Sequence, residues 1–356
     1  MTKNKKLTKT ASLTDIHWGA RTNEELHNQD CDRYIDWFCA QVKADPTIDN
    51  IMFLGDWFEN RSALNIMTMN YSYRGAKKLN DLGLPVYFII GNHDLYHRHT
   101  RELYSSINFH EFSNFRVINE PTVIPEVGDG VLLCPYLFHH EYADLAQYLK
   151  LKTWFGHFEF KGFQVTGSGM LMPTGPEADD FKGPLHIFSG HFHKRQLSKN
   201  IVYTGNTFPT NYSDEGDNER GMMVYDHTKD VIKFIDWIEC PKFTKITLTN
   251  LLDNAVKIHK GSRVKCIVDC PITFEESTLL RQQFLVDYDL REFVMEESGE
   301  VDEVLANTET DADTEDLNDD GTITSIDDLV VKMLSGINSE LIDNNILIAQ
   351  YQRLKL

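Results

Sequence analysis

The sequence predicts an α/β fold, in which buried strands alternate with helices, followed by a second and smaller domain. In the first two-thirds of the chain, short apolar, β-branched and aromatic runs are each followed by a polar loop. Segments with helix-like spacing lie between them, which is the rhythm of an α/β domain. At 356 residues the chain also exceeds the length over which one hydrophobic core usually keeps growing. We therefore expect two domains and a tail.

The predicted strands of the first domain are continuous apolar runs, as expected for strands that are buried on both faces. They cover residues 50–54, 85–90, 185–189 and 201–204. Residues 7–14 predict a further, first strand, which is more polar than a central strand should be. Helix-like spacing predicts helices over residues 30–44 and 73–82.

The composition changes near Pro241, after which alternating patterns predict strands over residues 243–248 and 257–270. A helix over 275–284 and a last strand over 292–296 complete a small α+β domain. We expect a catalytic domain over 1–240, a capping domain over 241–297, an acidic linker over 298–322 and a helical motif over 323–356. Ser325 to Asp328 resembles a capping box at the start of that last segment.

The negative charge of the chain is concentrated in one segment. The formal net charge is -19, and residues 296–328 contain fourteen Asp or Glu and no Lys or Arg. The rest of the chain therefore has a net charge of only -5. A nucleic-acid partner, which the total charge would disfavour, is compatible with this main body.

Nothing in the sequence approaches the roughly 20 uninterrupted apolar residues of a membrane span. The basic start of the chain lacks the apolar region of a secretory signal. The six cysteines are scattered, and Cys266 and Cys270 have no second pair that would complete a zinc site. We expect reduced thiols in a protein of the cytoplasm, with no membrane partner.

Five short polar blocks follow the apolar runs in a fixed order. Singly, each has an ordinary explanation, because His157 alone would be a turn or core residue and Asp15 alone a helix cap. Together they supply carboxylates, imidazoles and an amide oxygen, which suit a pair of divalent metal ions such as Mn²⁺, with Mg²⁺, Fe²⁺ or Zn²⁺ as alternatives. The blocks are Asp15-Ile-His17, Gly55-Asp56, Gly91-Asn92-His93-Asp94, Gly156-His157 and Gly190-His191-Phe-His193.

The order and wording of these blocks resemble the calcineurin-like metallophosphoesterase superfamily over about residues 7–240. The resemblance implies a four-layer α/β/β/α sandwich with two mixed sheets. It assigns two ligand sets, in which Asp56 is shared by both ions. The first ion would be held by Asp15, His17, Asp56 and His193, and the second by Asp56, Asn92, His157 and His191.

The same resemblance implies two catalytic residues beside the metals. His93 would steer the phosphate and protonate the leaving group, and Asp94 would orient His93. Glu59, three residues after Asp56, departs from the Asp or His that is common in the family. This substitution leaves the balance between exonuclease and endonuclease activity open.

Within the superfamily, Asp15–Gly19 and Gly55–Phe58 resemble the SbcD-type recombination and repair nucleases. Residues 187–195, 202–209 and 220–226 are most similar to the nuclease subunit of T-even phage recombination endonucleases. The resemblance implies a phage-encoded DNA exonuclease and endonuclease that processes double-strand ends in recombination, repair and replication. It also implies a homodimer within a heterotetramer, bound through the C-terminal helices to an SMC-like ATPase.

The C-terminal helices have a second explanation, since amphipathic helices could also pack on the core of their own chain. A linker of about twenty residues before them favours an external groove. The chain contains no Gly-x-x-x-x-Gly-Lys-Ser/Thr motif, so ATP hydrolysis would belong to the partner. Asp316 to Asp327 also partly matches a calcium-binding loop, although chance matches are common in such an acidic stretch.

Basic residues near the blocks could contact the DNA backbone without reading sequence. These candidates for substrate positioning, together with Glu59, are Arg98, Arg101, Lys194 and Arg195. Two rival functions remain: a phosphoesterase acting on phosphoproteins or nucleotides, and a non-catalytic scaffold for the ATPase. All seven proposed ligands and His93 are present, which favours catalysis.

Overall fold

The computed structural model describes residues 6–165, 169–253 and 257–297. The predicted linker over 298–322, the helical motif over 323–356 and the calcium-loop match at Asp316–Asp327 lie outside the described residues. They stay predictions.

The strands, in chain order, are β1 (Lys9–Leu13), β2 (Asn50–Phe53), β3 (Val86–Ile89), β4 (Phe115–Ile118), β5 (Thr122–Ile124), β6 (Val131–Cys134), β7 (Thr153–Gly156), β8 (His186–Ser189), β9 (Gln196–Ser198), β10 (Ile201–Tyr203), β11 (Gly221–Asp226), β12 (Val231–Asp236), β13 (Phe243–Thr247), β14 (Arg263–Val268) and β15 (Glu292–Glu297). The α-helices are Glu25–Ala44, Ile66–Asn80, Leu248–Leu252 and Phe274–Asp287, with a short, partly left-handed helical segment at Ala20–Asn23. The 3₁₀ helices are Ile107–Glu111, His139–Tyr148, Ala178–Phe181 and Tyr212–Asp214.

Two six-stranded sheets form the catalytic part of the molecule, and both are mixed. The first has the order β12-β11-β1-β2-β3-β4, in which β1 to β4 are parallel and β11 and β12 antiparallel. The second has the order β5-β6-β7-β8-β10-β9, with parallel strands in the middle and antiparallel strands at the edges. This confirms the predicted pair of mixed sheets.

The two sheets pack against each other through one apolar cluster. Met52 and Ile89 of the first sheet belong to the same buried cluster as Leu133, Phe155 and Phe188 of the second. The outer face of the first sheet packs on the helices Glu25–Ala44 and Ile66–Asn80. The outer face of the second is covered by 3₁₀ helices and loops, so its outer layer contains less regular helix than the first.

The first strand is central, although its polarity suggested a weak one. β1 lies between β2 and β11, and Thr10 and Ser12 on it are fully buried. The Thr10 hydroxyl donates a 2.8 Å hydrogen bond to Oδ1 of Asn50 and also contacts His227 at 2.8 Å. A buried hydroxyl with such partners costs little, so Thr10 is compatible with a central strand.

The helices begin earlier than the sequence predicts. The helix predicted over 30–44 begins at Glu25, and the one predicted over 73–82 covers Ile66–Asn80. Asn65 caps the second helix by accepting a hydrogen bond from the backbone N–H of Met67 at 2.8 Å. Its first turn carries exposed apolar residues, Ile66 and Met69, which do not follow the amphipathic pattern.

A three-stranded parallel sheet, β13-β14-β15, forms the second region and has its own apolar cluster. Thr273 and Glu276 form a capping box at the start of helix Phe274–Asp287. Residues up to Glu297 form one compact unit, so the predicted division at residue 240 stays a prediction. No helix among the described residues is both long and apolar enough to cross a membrane.

Candidate metal centre

The loops that follow β1 and β8 bring three side chains together. Asp15, His17 and His193 each offer one ligand atom, and these atoms all lie within 4.8 Å of one another. Nε2 of His17 is 3.1 Å from Nε2 of His193 and 3.9 Å from Oδ1 of Asp15. We call these three residues the first ligand group.

The second ligand group contains Asp56, His157 and His191, whose ligand atoms again lie within 4.8 Å of one another. Nε2 of His157 is 3.2 Å from Oδ2 of Asp56 and 2.9 Å from Oδ1 of Asn92. The same Asn92 oxygen is 3.0 Å from Nδ1 of His191. The Asn92 amide therefore completes this group.

Asp56 lies between the two groups. Its Oδ2 is 3.2 Å from Nε2 of His157 and 3.9 Å from Nε2 of His17. Its Oδ1 accepts a 2.9 Å hydrogen bond from the backbone N–H of His93, which helps to fix the carboxylate. The donors of the two groups are imidazole nitrogens and carboxylate and amide oxygens, which fit a pair of divalent ions with Asp56 between them.

The charges of the pocket favour cations. Burial lowers the pKa of His17, but the neighbouring carboxylates, that of Glu59 above all, raise it to about 10. Burial also opposes protonation of His157, yet Asp56 brings its pKa to about 9. In turn the imidazoles around Asp56 outweigh its burial and hold the pKa of that carboxyl well below its usual value.

Four of the candidate ligands have a left-handed backbone, a conformation that is uncommon outside glycine. Each such residue costs on the order of 1–3 kcal/mol and persists only where its surroundings enforce it. At Asp15 the backbone N–H donates to the carbonyl of Gly55 at 2.9 Å, which links the loops after β1 and β2. The four residues are Asp15 (φ 50°), His17 (φ 50°), Asp56 (φ 60°) and His191 (φ 86°).

Two glycines allow the loops to approach each other. A Cβ atom on Gly91 would overlap the Asp56 carboxylate, and one on Gly55 would overlap the His157 ring. Gly55 also has a φ of 107°, which an L side chain rarely adopts. The lack of a side chain at Gly91 and Gly55 therefore leaves room for Asp56 and His157, respectively.

His93 lies beside the first ligand group. Its ring is 4.9 Å from the His17 ring, edge to face, and its Nδ1 is 2.8 Å from the carbonyl oxygen of Glu59. A carbonyl can only accept, so Nδ1 carries the proton and Nε2 is the free nitrogen. The backbone of Glu59, rather than a carboxylate, orients His93.

Asp94 differs from its predicted role as the partner of His93. It is completely buried, and its carboxylate accepts hydrogen bonds from the backbone N–H groups of Gly91 at 2.9 Å, Trp57 at 3.0 Å and Asp56 at 3.1 Å. The reason is geometric, because the left-handed turn at Asp56 points successive N–H groups toward it. Asp94 thus joins the β2 and β3 loops.

Glu59 contacts a candidate ligand directly. Its Oε2 is 2.7 Å from Nδ1 of His17, on the side of the imidazole opposite Nε2. Burial raises the pKa of Glu59, but the His17 and His93 imidazoles outweigh it and lower the pKa to about 2. Glu59 is therefore an anion that contacts His17 and lies next to His93.

Two further residues, neither of which is among the predicted site residues, support the ligands. Oε2 of Glu159 is 3.2 Å from Nε2 of His191, and only its position two residues after the His157 block could have indicated it. Arg220 is completely buried and donates to the backbone carbonyl of His193. It also pairs with Asp214 at 3.1 Å, so a buried ion pair holds the loop of His193.

Two of the basic residues predicted to contact DNA have protein partners instead. Arg101 pairs with Glu141 and donates to the carbonyls of Tyr136 at 2.9 Å and Asn119 at 3.0 Å. Arg195 pairs with Asp236 at 2.8 Å and lies over an aromatic ring. Both guanidinium groups are largely buried and used within the fold, which argues against a DNA contact.

The remaining two candidates are Arg98 and Lys194. Arg98 is exposed and Lys194 is partly buried. Lys194 directly follows His193, and its ammonium forms no ion pair with any residue in the described ranges. Lys194 therefore remains available for a phosphate group.

A family model described as calcineurin-like phosphoesterase matches residues 8–195, which include all of the candidate ligands. The family implies a dinuclear divalent metal site, and the two ligand groups are its candidate counterpart in this chain.

Two relatives were found by sequence. Exonuclease subunit 1 of Enterobacteria phage T4 is 28% identical over 185 residues, which are 51% of this chain and 54% of that protein. DNA double-strand break repair protein Mre11 of Methanocaldococcus jannaschii is 22% identical over 274 residues, 71% of this chain and 73% of that protein. The match thus spans about half of the phage protein.

Two solved structures are similar at low scores. A dimetal phosphatase from Danio rerio has a TM-score of 0.36 and 10% identity, over 62% of this chain and 92% of that chain. The Pseudomonas putida nuclease MPE has a TM-score of 0.28 and 13% identity, over 63% and 87%.

Proposed function

The chain belongs to the calcineurin-like phosphoesterase family, and we propose that within this family it is a metal-dependent DNA nuclease. The observation that carries the proposal is the pair of ligand groups with Asp56 between them. The names of the two sequence relatives, an exonuclease subunit and a DNA double-strand break repair protein, support DNA as the substrate.

In this proposal, each ion has a ligand set from the chain. Asp15, His17 and His193 would hold the first ion, and Asn92, His157 and His191 would hold the second, with Asp56 contributing to both. When bound, a pair of divalent ions, for which we propose Mn²⁺, would supply charge neutralisation of the phosphate and activation of water near neutral pH.

The residues around the ions bind and orient the substrate. His93 exposes Nε2 toward the pocket, since its Nδ1 proton is held by the Glu59 carbonyl. We assign it to steering the phosphate and, as the doubly protonated imidazolium, to donating its Nε2 proton to the leaving oxygen, which leaves the neutral ring with its proton on Nδ1. Lys194 and Arg98 contribute phosphate contacts that carry no sequence information.

The experiment that tests this function compares two substrates. Purified protein with Mn²⁺ is incubated with end-labelled linear duplex DNA and, in parallel, with a phosphomonoester. The proposal predicts DNA cleavage that chelation abolishes. Turnover of the monoester alone would instead indicate a phosphatase, and no turnover of either would indicate a scaffold.

The proposed partners follow from the predicted domains. In this proposal, the capping domain predicted over 241–297 helps to hold DNA. The helical motif predicted over 323–356, which lies outside the described residues, would bind an SMC-like ATPase. Two copies of the chain would form a homodimer within a heterotetramer in the cytoplasm. Deletion of residues 325–356 should abolish copurification with a co-expressed ATPase and leave metal-dependent cleavage intact. Copurification without these residues would refute this docking role.

A further inference from the structure

Tyr136 lies at the same sheet edge as the candidate ligands, although it belongs to none of the predicted blocks. It follows β6, whose last residue, Cys134, is in register with Gly156 of β7. Gly156 is in turn in register with Ser189 of β8. Tyr136 therefore has the same position after β6 as His191 has after β8.

Both the backbone and the ring of Tyr136 are held in place. Its N–H donates to the carbonyl of Ile90 at 2.8 Å, and its own carbonyl accepts from Arg101 at 2.9 Å. Its ring centroid is 5.8 Å from that of His191 and 6.3 Å from that of His157. The aromatic side chain thus forms a wall of the pocket beside the second ligand group.

The hydroxyl of Tyr136 differs from those of neighbouring tyrosines. Tyr203 donates to the carbonyl of Phe158 at 3.0 Å, and the hydroxyl of Tyr142 accepts from the N–H of Glu159 at 2.9 Å. The Tyr136 hydroxyl makes no hydrogen bond within the described ranges 6–165, 169–253 and 257–297. A partly buried phenol usually has a polar partner, so this one is available to a ligand.

We propose that Tyr136 is a substrate-binding residue whose hydroxyl donates a hydrogen bond to a phosphate oxygen of the DNA strand beside the second ligand group. The inference rests on the proposed nuclease function and extends it by a residue. A phenol is a neutral donor at pH 7, and a hydrogen bond to a charged phosphate is short and strong. The contact is independent of base sequence.

The test uses Tyr136→Phe, which removes the hydroxyl and keeps the ring against the imidazoles. The matched control is Tyr148→Phe, which removes the hydroxyl of a tyrosine at the end of 3₁₀ helix His139–Tyr148. Binding of a short fluorescein-labelled single-stranded oligonucleotide is measured by anisotropy with Ca²⁺ as the metal. Mn²⁺ affinity is measured by calorimetry, and cleavage of linear DNA is measured separately.

We expect Tyr136→Phe to weaken oligonucleotide binding about tenfold, the effect of one hydrogen bond to a charged group. Its Mn²⁺ affinity should equal that of the wild type, and Tyr148→Phe should change neither quantity. Wild-type oligonucleotide affinity in Tyr136→Phe would overturn the proposal, as would a parallel loss of Mn²⁺ affinity. If the wild type binds through Tyr136 and yet cleaves no DNA, the nuclease function fails while the binding role stands.

Discussion

The Glu59 carboxylate lies 2.7 Å from Nδ1 of His17, while Nε2 of the same imidazole faces His193 at 3.1 Å. A carboxylate behind a metal-ligating histidine fixes the ring orientation and raises the basicity of the ligating nitrogen. In this chain the carboxylate belongs to Glu59, which stands at the position where Asp or His is common in the family. We therefore propose that the main role of Glu59 is to support His17 as a ligand of the first metal ion. Direct positioning of DNA by Glu59 would be a secondary role.

Glu59→Gln should weaken binding of the first Mn²⁺ ion. Removing such a supporting carboxylate typically costs 10- to 100-fold in metal affinity, and we expect roughly that range here. Calorimetric titration with Mn²⁺ measures the effect, with exposed Glu102→Gln as the matched control. Unchanged affinity for both ions would remove Glu59 from the metal centre.

Gly91→Ala should disrupt the bridging position. The added Cβ would overlap the Asp56 carboxylate, so Asp56 has to move and both ions lose a ligand. We expect Mn²⁺ affinity to fall by roughly 100-fold or more, on the scale of a lost ligand and its support. Titration of the purified variant measures it.

Gly83→Ala is the control for that substitution. Gly83 has a φ of 70° and open space around its Cβ position, so alanine there adds backbone strain alone. It should lower the free energy of unfolding by about 1 kcal/mol and leave Mn²⁺ binding unchanged. Equal Mn²⁺ affinity in the two variants would contradict the packing argument.

Much of this centre could be predicted from the sequence, because ligands at strand ends come with local signals. Asp56 and Asn92 each follow a continuous apolar run and a glycine, so their place at the sheet edge follows from pattern alone. The contacts that support them could not be predicted in this way. Arg220 lies 27 residues from the His193 carbonyl that it holds, and the hydrogen bonds of Asp94 depend on a left-handed turn at Asp56.

Distant partners also explain why Arg101 and Arg195 were predicted to contact DNA but pair within the fold. Arg101 follows the Asn92 block closely enough to suggest a DNA contact, but its partner Glu141 is 40 residues away. Charge near a motif does not show whether that charge is already paired within the fold. The polar strand β1 is a similar case, because Asn50 and His227, the partners of Thr10, are distant in sequence.

Arg101→Met should lower stability, because its guanidinium group is used within the fold. The side chain is 14% exposed and pairs with Glu141, so its loss removes the ion-pair partner of a partly buried carboxylate and the side-chain donor of two backbone carbonyls. We expect a decrease of about 2 kcal/mol in the free energy of unfolding, measured by urea denaturation. Arg116→Met, whose side chain is 50% exposed, should cost under about 0.5 kcal/mol.

Lys194→Ala should weaken DNA binding and leave stability unchanged. Loss of one phosphate contact reduces the slope of log affinity against log salt by about 1 and weakens binding equally for all sequences. Fluorescence anisotropy over a salt series measures the slope, and stability should stay at the wild-type value. A full wild-type slope in Lys194→Ala would exclude this lysine from the DNA interface.

His227 should make stability depend on pH. Burial lowers its pKa from 6.5 to about 4, so the unfolded chain binds a proton in this interval and the folded chain does not. Its contribution is present above pH 6.5 and is lost as the pH falls toward 4. When the pH falls from 7 to 5, the free energy of unfolding should decrease in the wild type. In His227→Gln this decrease should be smaller by up to about 2 kcal/mol. Parallel losses in the two proteins would contradict this assignment.

We propose that Asp56 joins two metal ions that the chain uses to cleave DNA. The most direct test is calorimetric titration of the wild type and Asp56→Ala with Mn²⁺, followed by cleavage of linear DNA by the same samples. We expect two Mn²⁺ ions per wild-type chain, strongly reduced binding of both in Asp56→Ala, and no cleavage by that variant. A single ion in the wild type, or wild-type cleavage by Asp56→Ala, would contradict the proposal.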